Sequence, residues 1–320
     1  MKPFKKIAAA LALSAATTTG AYAQQITIAT SNPGAIYHSI GVAIAKVLNE
    51  SGVNATVQPA TSPNQFLPLI GSGEFDMGPV NLQELSYAYK GEAWFTGRPY
   101  QGLRLLALHY PLRVSVFVRA DSDMVNMADL KGKRMTSGYT AQKTINPQNA
   151  AMFATADLVE SDMKPVPVPS VVGGANAFMS GAADAFMFAL GAGKVREADA
   201  SVGGIRALKI IKQDDTEEKM RKHWPVGYLS LVQPGPAAGP GVKEPTWMLT
   251  YPQAIAAGEK MSDDAAYAVA KAMYNNAKKL GELLPPFRLF KPENMVGPNG
   301  GVPYHPGAIK FYKEVGLWKD

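Results

Sequence analysis

A strand, a glycine turn and a helix follow one another over residues 26–48 with no charge at their junction. Ile26-Thr27-Ile28-Ala29-Thr30 reads as a short buried strand, and Ser31-Asn32-Pro33-Gly34 as a turn. Ile36, Ile40, Ile44, Val47 and Leu48 then recur at helical spacing. Such a junction aims the positive end of a helix dipole, with its free N–H groups, at whatever sits above the strand ends. That arrangement favours a carboxylate or a phosphate. No G-x-G-x-x-G or Walker lysine accompanies the turn, so it does not read as a nucleotide site.

The same unit repeats. Strands are expected at Ile26–Thr30, Ala55–Gln58, Met77–Pro79 and Leu103–His109, with helices at Ala35–Asn49, Asn64–Gly71 and Leu82–Tyr89 between them. Regular alternation of this kind predicts an α/β fold built on a doubly wound, mostly parallel sheet, whose ligands bind beyond the carboxyl ends of the strands. A second unit on the same plan follows two extended runs joined at Pro111. It has a strand near Met135, a helix through Pro147–Val159, a strand at Val166–Val168, a helix opening at Gly173 and a strand through Phe186. Tyr228–Val232 is expected to cross back to the first unit, and Pro234–Pro245 to form a surface loop. Ser262–Leu280 reads as an amphipathic helix capped by Ser262. A short last helix ends near Val315.

Ahead of all this stands an export signal. Lys2, Lys5 and Lys6 precede the apolar stretch Ile7–Ala16, and Ala21-Tyr22-Ala23 supplies a cleavage site. Removing residues 1–23 leaves a mildly basic chain with no Lys/Arg stripe, which does not suit nucleic acid. Cysteine is absent, so the fold is held by its core and no thiolate metal site or nucleophile exists. The four histidines show no H-E-x-x-H spacing, no G-x-S-x-G elbow is present, and the expected cleft loops hold almost no Asp or Glu. The expectation is a binding protein with no cofactor and no metal, not an enzyme.

Taken in order, five landmarks resemble the extracytoplasmic solute receptors of the TAXI branch of tripartite (TRAP-type) transporters. They are Gly34-Ala35-Ile36-Tyr37 leading into Gly41-Val42-Ala43, Ser72–Met77, Asp129–Arg134, Gly181–Phe186 and Tyr304–Ala308. The resemblance spans nearly all of the chain after the signal. It implies a two-lobed periplasmic-binding-protein-like (type II) fold joined by crossing hinge strands. Lobe 1 would be residues 24–112 plus 229–320, and lobe 2 residues 113–228. It also implies a monomeric periplasmic receptor that delivers a small anionic solute, glutamate-like, 2-oxoglutarate-like or another organic acid, to an integral membrane permease driven by an ion gradient. An ABC-type or tricarboxylate-type binding protein is the alternative, and an exported enzyme on the same fold a further one. The chain departs from the family pattern at Asn32–Ala35, at His38, at Ser137–Thr140 and in a longer Pro234–Pro245 segment.

The expected ligand contacts follow from position. In the first unit they are Asn32, Ala35, Tyr37 and His38 in the opening loop, with Ser62, Asn64, Asn81 and Gln83 at neighbouring strand ends. In the second they are Ser137, Gly138, Thr140 and Gly174, with Phe188 (and Tyr139) as a floor for an aromatic acid. Arg113 at the hinge is the candidate for a bidentate grip on the carboxylate, with Arg98 a second choice.

Overall fold

The computed structural model describes residues 25–319; the expected signal, cleaved after Ala23, lies outside the described residues. The chain first lays down β1 (Ile26–Thr30), α1 (Ile36–Glu50), β2 (Ala55–Pro59), α2 (Pro63–Ser72), β3 (Met77–Asn81), α3 (Leu82–Lys90) and β4 (Leu103–Leu108). It continues through β5 (Leu112–Arg119), β6 (Arg134–Gly138), α4 (Ile145–Ala154), β7 (Lys164–Val168), α5 (Val171–Met179) and β8 (Ala185–Ala189). Next come α6 (Gly193–Ser201), β9 (Ile205–Ala207), α7 (Thr216–Arg221), β10 (Tyr228–Val232) and β11 (Thr246–Tyr251). The last elements are β12 (Gln253–Gly258), α8 (Asp263–Asn275), α9 (Ala277–Leu283) and α10 (Pro306–Glu314).

Two open sheets result, ordered β2-β1-β3-β12-β4 and β10-β11-β5-β8-β6-β7, with β9 also paired to β5. β1 pairs parallel with β2 and β3, and β6 pairs parallel with β7 and β8. Each parallel group is extended by an antiparallel strand contributed from across the hinge. β12 lies antiparallel between β3 and β4, and β5 lies antiparallel against β8 and β11. The chain crosses between sheets twice, at His109–Pro111 and at Pro252. Proline has no N–H to give a ladder, so each crossing falls where the ladder must break. This corrects the reading of Tyr228–Val232. That segment does not cross back; it pairs with β11 at the edge of the second sheet, and β12 makes the return.

α1 packs on the first sheet through Ile40, Ile44, Val47 and Leu48, all almost fully buried. Gly41 makes that contact possible: a Cβ there would lie 2.3 Å from the Thr30 methyl. The close approach sets the start of α1 directly above the end of β1, where the opening turn was expected to face a ligand. Ser62, Asn81, Ser170 and Ser262 are among the helix N-caps, and the Asn81, Ser170 and Ser262 side chains accept an N–H from their own helix. The Ser62 hydroxyl does not.

Candidate functional site

Three helices begin at one point between the two sheets. α1 starts at Ile36, α4 at Ile145 and α5 at Val171, and residues from all three starts line a narrow cavity of about 30 Å³. That volume holds a water or two, so the cleft is shut. Its apolar wall includes Leu112 and Val114 on β5, Met187 and Phe188 on β8, and Ile145 and Val171. Its polar groups are Ser31, Tyr37, Gln142, Thr144, Gln148 and Tyr251. Among the described residues no charged side chain lines it.

The polar groups are not all spent on the protein. Ser31 and Gln148 are each 1 % exposed; the Ser31 hydroxyl has no hydrogen-bond partner, and the Gln148 amide has only a loose contact with the Tyr251 hydroxyl that satisfies neither of its ends. A buried polar atom left unpaired costs about 1–3 kcal/mol, so these groups are suited to a ligand. The Gln142 side-chain oxygen is used, accepting the Val171 N–H at the start of α5. At α1 no side chain caps the helix, and the N–H groups of Ile36, Tyr37 and His38 find no acceptor among the described residues. The site therefore offers uncharged donors and the positive ends of helix dipoles.

Behind the cavity lies a second, buried polar layer. The Tyr37 phenol sits among Asn81, Gln253 and Glu84, and burial raises its pKa, as it does for Tyr110 and Tyr251. Glu84 accepts from the Asn81 amide at 3.0 Å and Asn81 accepts the Glu84 N–H at 2.7 Å, a reciprocal cap on α3. Burial pushes the Glu84 carboxyl up to about 8, against the opposing effect of the Asn81 bond. Glu84 is therefore mostly protonated at neutral pH. Burial likewise takes His109 down to about 3, leaving it neutral at the hinge against Tyr110 and Phe287.

Several side chains expected to touch ligand instead join the two halves of the cleft. Ser62 Oγ lies 2.6 Å from the Ala141 carbonyl and 2.9 Å from Asn64 Oδ1. Asn64 Oδ1 accepts the Lys143 N–H at 3.3 Å, and the Asn81 amide reaches Thr144 Oγ1 at 3.5 Å. The Lys194 N–H at the start of α6 meets the Gly34 carbonyl at 3.1 Å. These four contacts join the two halves of the cleft, Asn81–Thr144 behind the cavity and the others around it.

The family follows from a match that spans this whole architecture. A model of the NMT1-like family matches residues 28–316. The chain belongs to the NMT1-like family. Among solved structures, this NMT1-like chain is similar to one described as a periplasmic transporter, at TM-score 0.54 and 13 % identity, covering 92 % of this chain and 94 % of that one. It is also similar to the ligand-binding component of an ABC-type import system from Staphylococcus aureus with zinc bound, at TM-score 0.51 and 9 % identity, covering 92 % and 93 %. A weaker likeness, TM-score 0.44 and 16 % identity over 91 % and 82 %, is to the periplasmic aliphatic sulphonate binding protein of Escherichia coli. At these identities the likeness concerns the fold, which is the two-lobed fold of periplasmic substrate-binding proteins.

Within the NMT1-like chain, the expected contacts divide sharply. Ala35, Tyr37 and Phe188 line the cavity, whereas Ser62, Asn64 and Asn81 join the two halves of the cleft. Asn32 gives its carbonyl to the Ala35 N–H within the turn, and His38 Nδ1 lies 3.1 Å from Thr30 Oγ1, outside the cavity wall. Gln83 is half-buried on α3 and does not line it. Ser137 borders a separate crevice with Phe153 and Pro165, and Gly138 and Thr140 are exposed. Gly174 packs on Thr136 and Tyr139 and lines no part of the cavity, and Tyr139, whose hydroxyl bonds Thr136 at 2.7 Å, does not floor it.

Arg113 is the clearest departure. Leu112 and Val114 face the cavity, and side chains alternate along a strand. Arg113 therefore points to the other face of β5, where it lies beside Tyr228 and is held half-buried. Arg98 is exposed and does not line the cavity. The contributions of Ser31, Gln142, Thr144, Gln148 and Tyr251 carry no sequence signature beyond their polarity. Only the fold brings them together.

Proposed function

We propose that the protein is an exported solute receptor that closes over a small organic acid and presents it to a membrane permease. The observation that supports this most strongly is the shut cleft itself. Elements of both sheets wall it, uncharged donors and three helix starts face it, and buried Ser31 and Gln148 stand unpaired within it. Such a site holds an anion reversibly and lacks a group placed to carry protons to and from it. Closure would be selected by ligand contacts with both lobes.

The order and spacing of the Gly34–Tyr37, Ser72–Met77, Asp129–Arg134, Gly181–Phe186 and Tyr304–Ala308 landmarks favour a TRAP-type permease of the TAXI branch as partner, and a periplasmic location. Native mass spectrometry of the protein as purified tests the reading. A retained small acid, and a thermal shift when that acid is added back to stripped protein, is the expected result. Turnover of the retained molecule, or no shift with any organic acid, overturns it.

A further inference from the structure

Resting on that reading, we infer that the solute has a single acid head and a short apolar body: it is a monocarboxylate, neither a dicarboxylate nor an amino acid. The head has an evident place. The uncapped start of α1, with three free N–H groups, and the unpaired Ser31 hydroxyl lie on one side of the cavity, and the unpaired Gln148 amide on the other. The cavity of about 30 Å³ holds only a water or two, so the lobes must part slightly around the solute, and one carboxylate then uses these donors and the α1, α4 and α5 dipoles together.

The rest of the wall decides the class. A second carboxylate would need a cation or another set of donors, and the lining holds no Lys or Arg. Lys194, whose backbone meets Gly34 at the rim, pairs its ammonium with Glu197 at 2.7 Å. Arg113 faces the other side of β5. An α-ammonium group would need an ionised acid, and the lining holds no Asp or Glu. Glu84 is withdrawn behind Asn81, which already binds it. Burying either extra charge against Leu112, Val114, Met187 and Phe188 carries a desolvation cost of several kcal/mol, which the remaining uncharged groups, Gln142, Thr144 and Tyr251, offset only in part. The same apolar surface favours methyl and methylene groups, at about 0.8 kcal/mol for each CH₂ buried.

The test is calorimetric titration of solute-stripped protein with 3-methylbutanoate, 3-methylbutanamide, succinate, 2-oxoglutarate, glutamate and leucine. The monocarboxylate is expected to bind at least about ten-fold tighter than its amide, because hydrogen bonds to a charged group contribute about 1.5–3 kcal/mol. It is expected to exceed both dicarboxylates and both amino acids by at least the same factor. Gln148→Glu places a like charge against the head and should weaken the acid about ten-fold or more while sparing the amide; Ser31→Ala is the second variant should Gln148→Glu fail to fold. Binding of succinate, 2-oxoglutarate, glutamate or leucine as tightly as 3-methylbutanoate overturns the inferred class and leaves the receptor reading standing. Binding by none of the acids, together with no retained solute in the native mass spectrum, overturns the receptor reading itself.

Discussion

Replacing Ser62 by alanine should open the cleft without loosening the fold. Ser62 occupies the N-cap position of α2, but its hydroxyl does not cap that helix. It contacts the Ala141 carbonyl at 2.6 Å across the cleft mouth. Removing a cap would cost helix stability; here that cost is absent, and the loss falls on the cleft-spanning bond and on the local contact with Asn64 at 2.9 Å. A net hydrogen bond contributes about 0.5–1.5 kcal/mol, so the closed-to-open ratio should fall about five-fold. Ligand affinity should fall by up to the same factor, because only the closed form makes contacts with both lobes. The chain has no cysteine, so spin labels on cysteines introduced at exposed Lys46 and Asp214 report the distance between the halves directly. Pulsed electron resonance on ligand-free protein should show a larger fraction of long distances in Ser62→Ala than in the parent. Calorimetry should show the matching loss of affinity. Unchanged distances and unchanged affinity refute the latch, and a lower Tm with both unchanged assigns Ser62 to folding only.

Arg113→Ala should leave solute affinity within about two-fold, since the side chain faces away from the cavity; a loss of ten-fold or more by calorimetry would return the guanidinium to the site. Glu84→Gln should change how stability depends on pH. The folded protein keeps the Glu84 proton to about 8, whereas an unperturbed glutamate releases it near 4.5. Folding therefore takes up a proton between those values, and this group makes stability fall as pH rises through that window, by up to about 1.4 kcal/mol per unit. Below the window it contributes nothing, and above it the loss is complete. Chemical denaturation from pH 4 to 9 should show the parent losing ground to Glu84→Gln across the window; parallel curves would refute the buried protonated acid. Gly191→Ala should lower Tm by several degrees, because Gly191 has φ +77° and a Cβ there would lie 2.3 Å from Pro286 Cγ. A Tm within about 1 °C of the parent (a shift worth only a few tenths of a kcal/mol) would show that the Pro286 segment yields freely.

Much of the fold can be read locally. The strands at 26–30, 55–59 and 77–81 and helices α1 to α3 obey simple periodicities, and Ser262 caps the helix it was expected to cap. β11 and β12 are not legible in the same way. They lie in one stretch interrupted by Pro252, and β12 is buried along its whole length with Ala254, Ala256, Ala257 and Gly258 in it. A strand buried on both faces does not alternate, and alanine and glycine do not favour strands. The missed strands are the ones that carry the return crossing, which is why Tyr228–Val232 was assigned that role.

What the sequence determined by itself is the class of the fold and the chemistry on offer. An uncharged turn runs from a strand into α1, the chain has no cysteine, and the loops at the strand ends carry amides and hydroxyls. Which of those groups face a ligand was decided by tertiary structure. Closure brings α4 and α5 of the second sheet against the start of α1, and at that distance a single residue of offset separates a wall from a latch. Ser31 lines the cavity and Asn32 closes its own turn; Leu112 and Val114 line it and Arg113 does not. The period of a strand fixes such alternation, but only the packing of one sheet against the other says which phase faces inward.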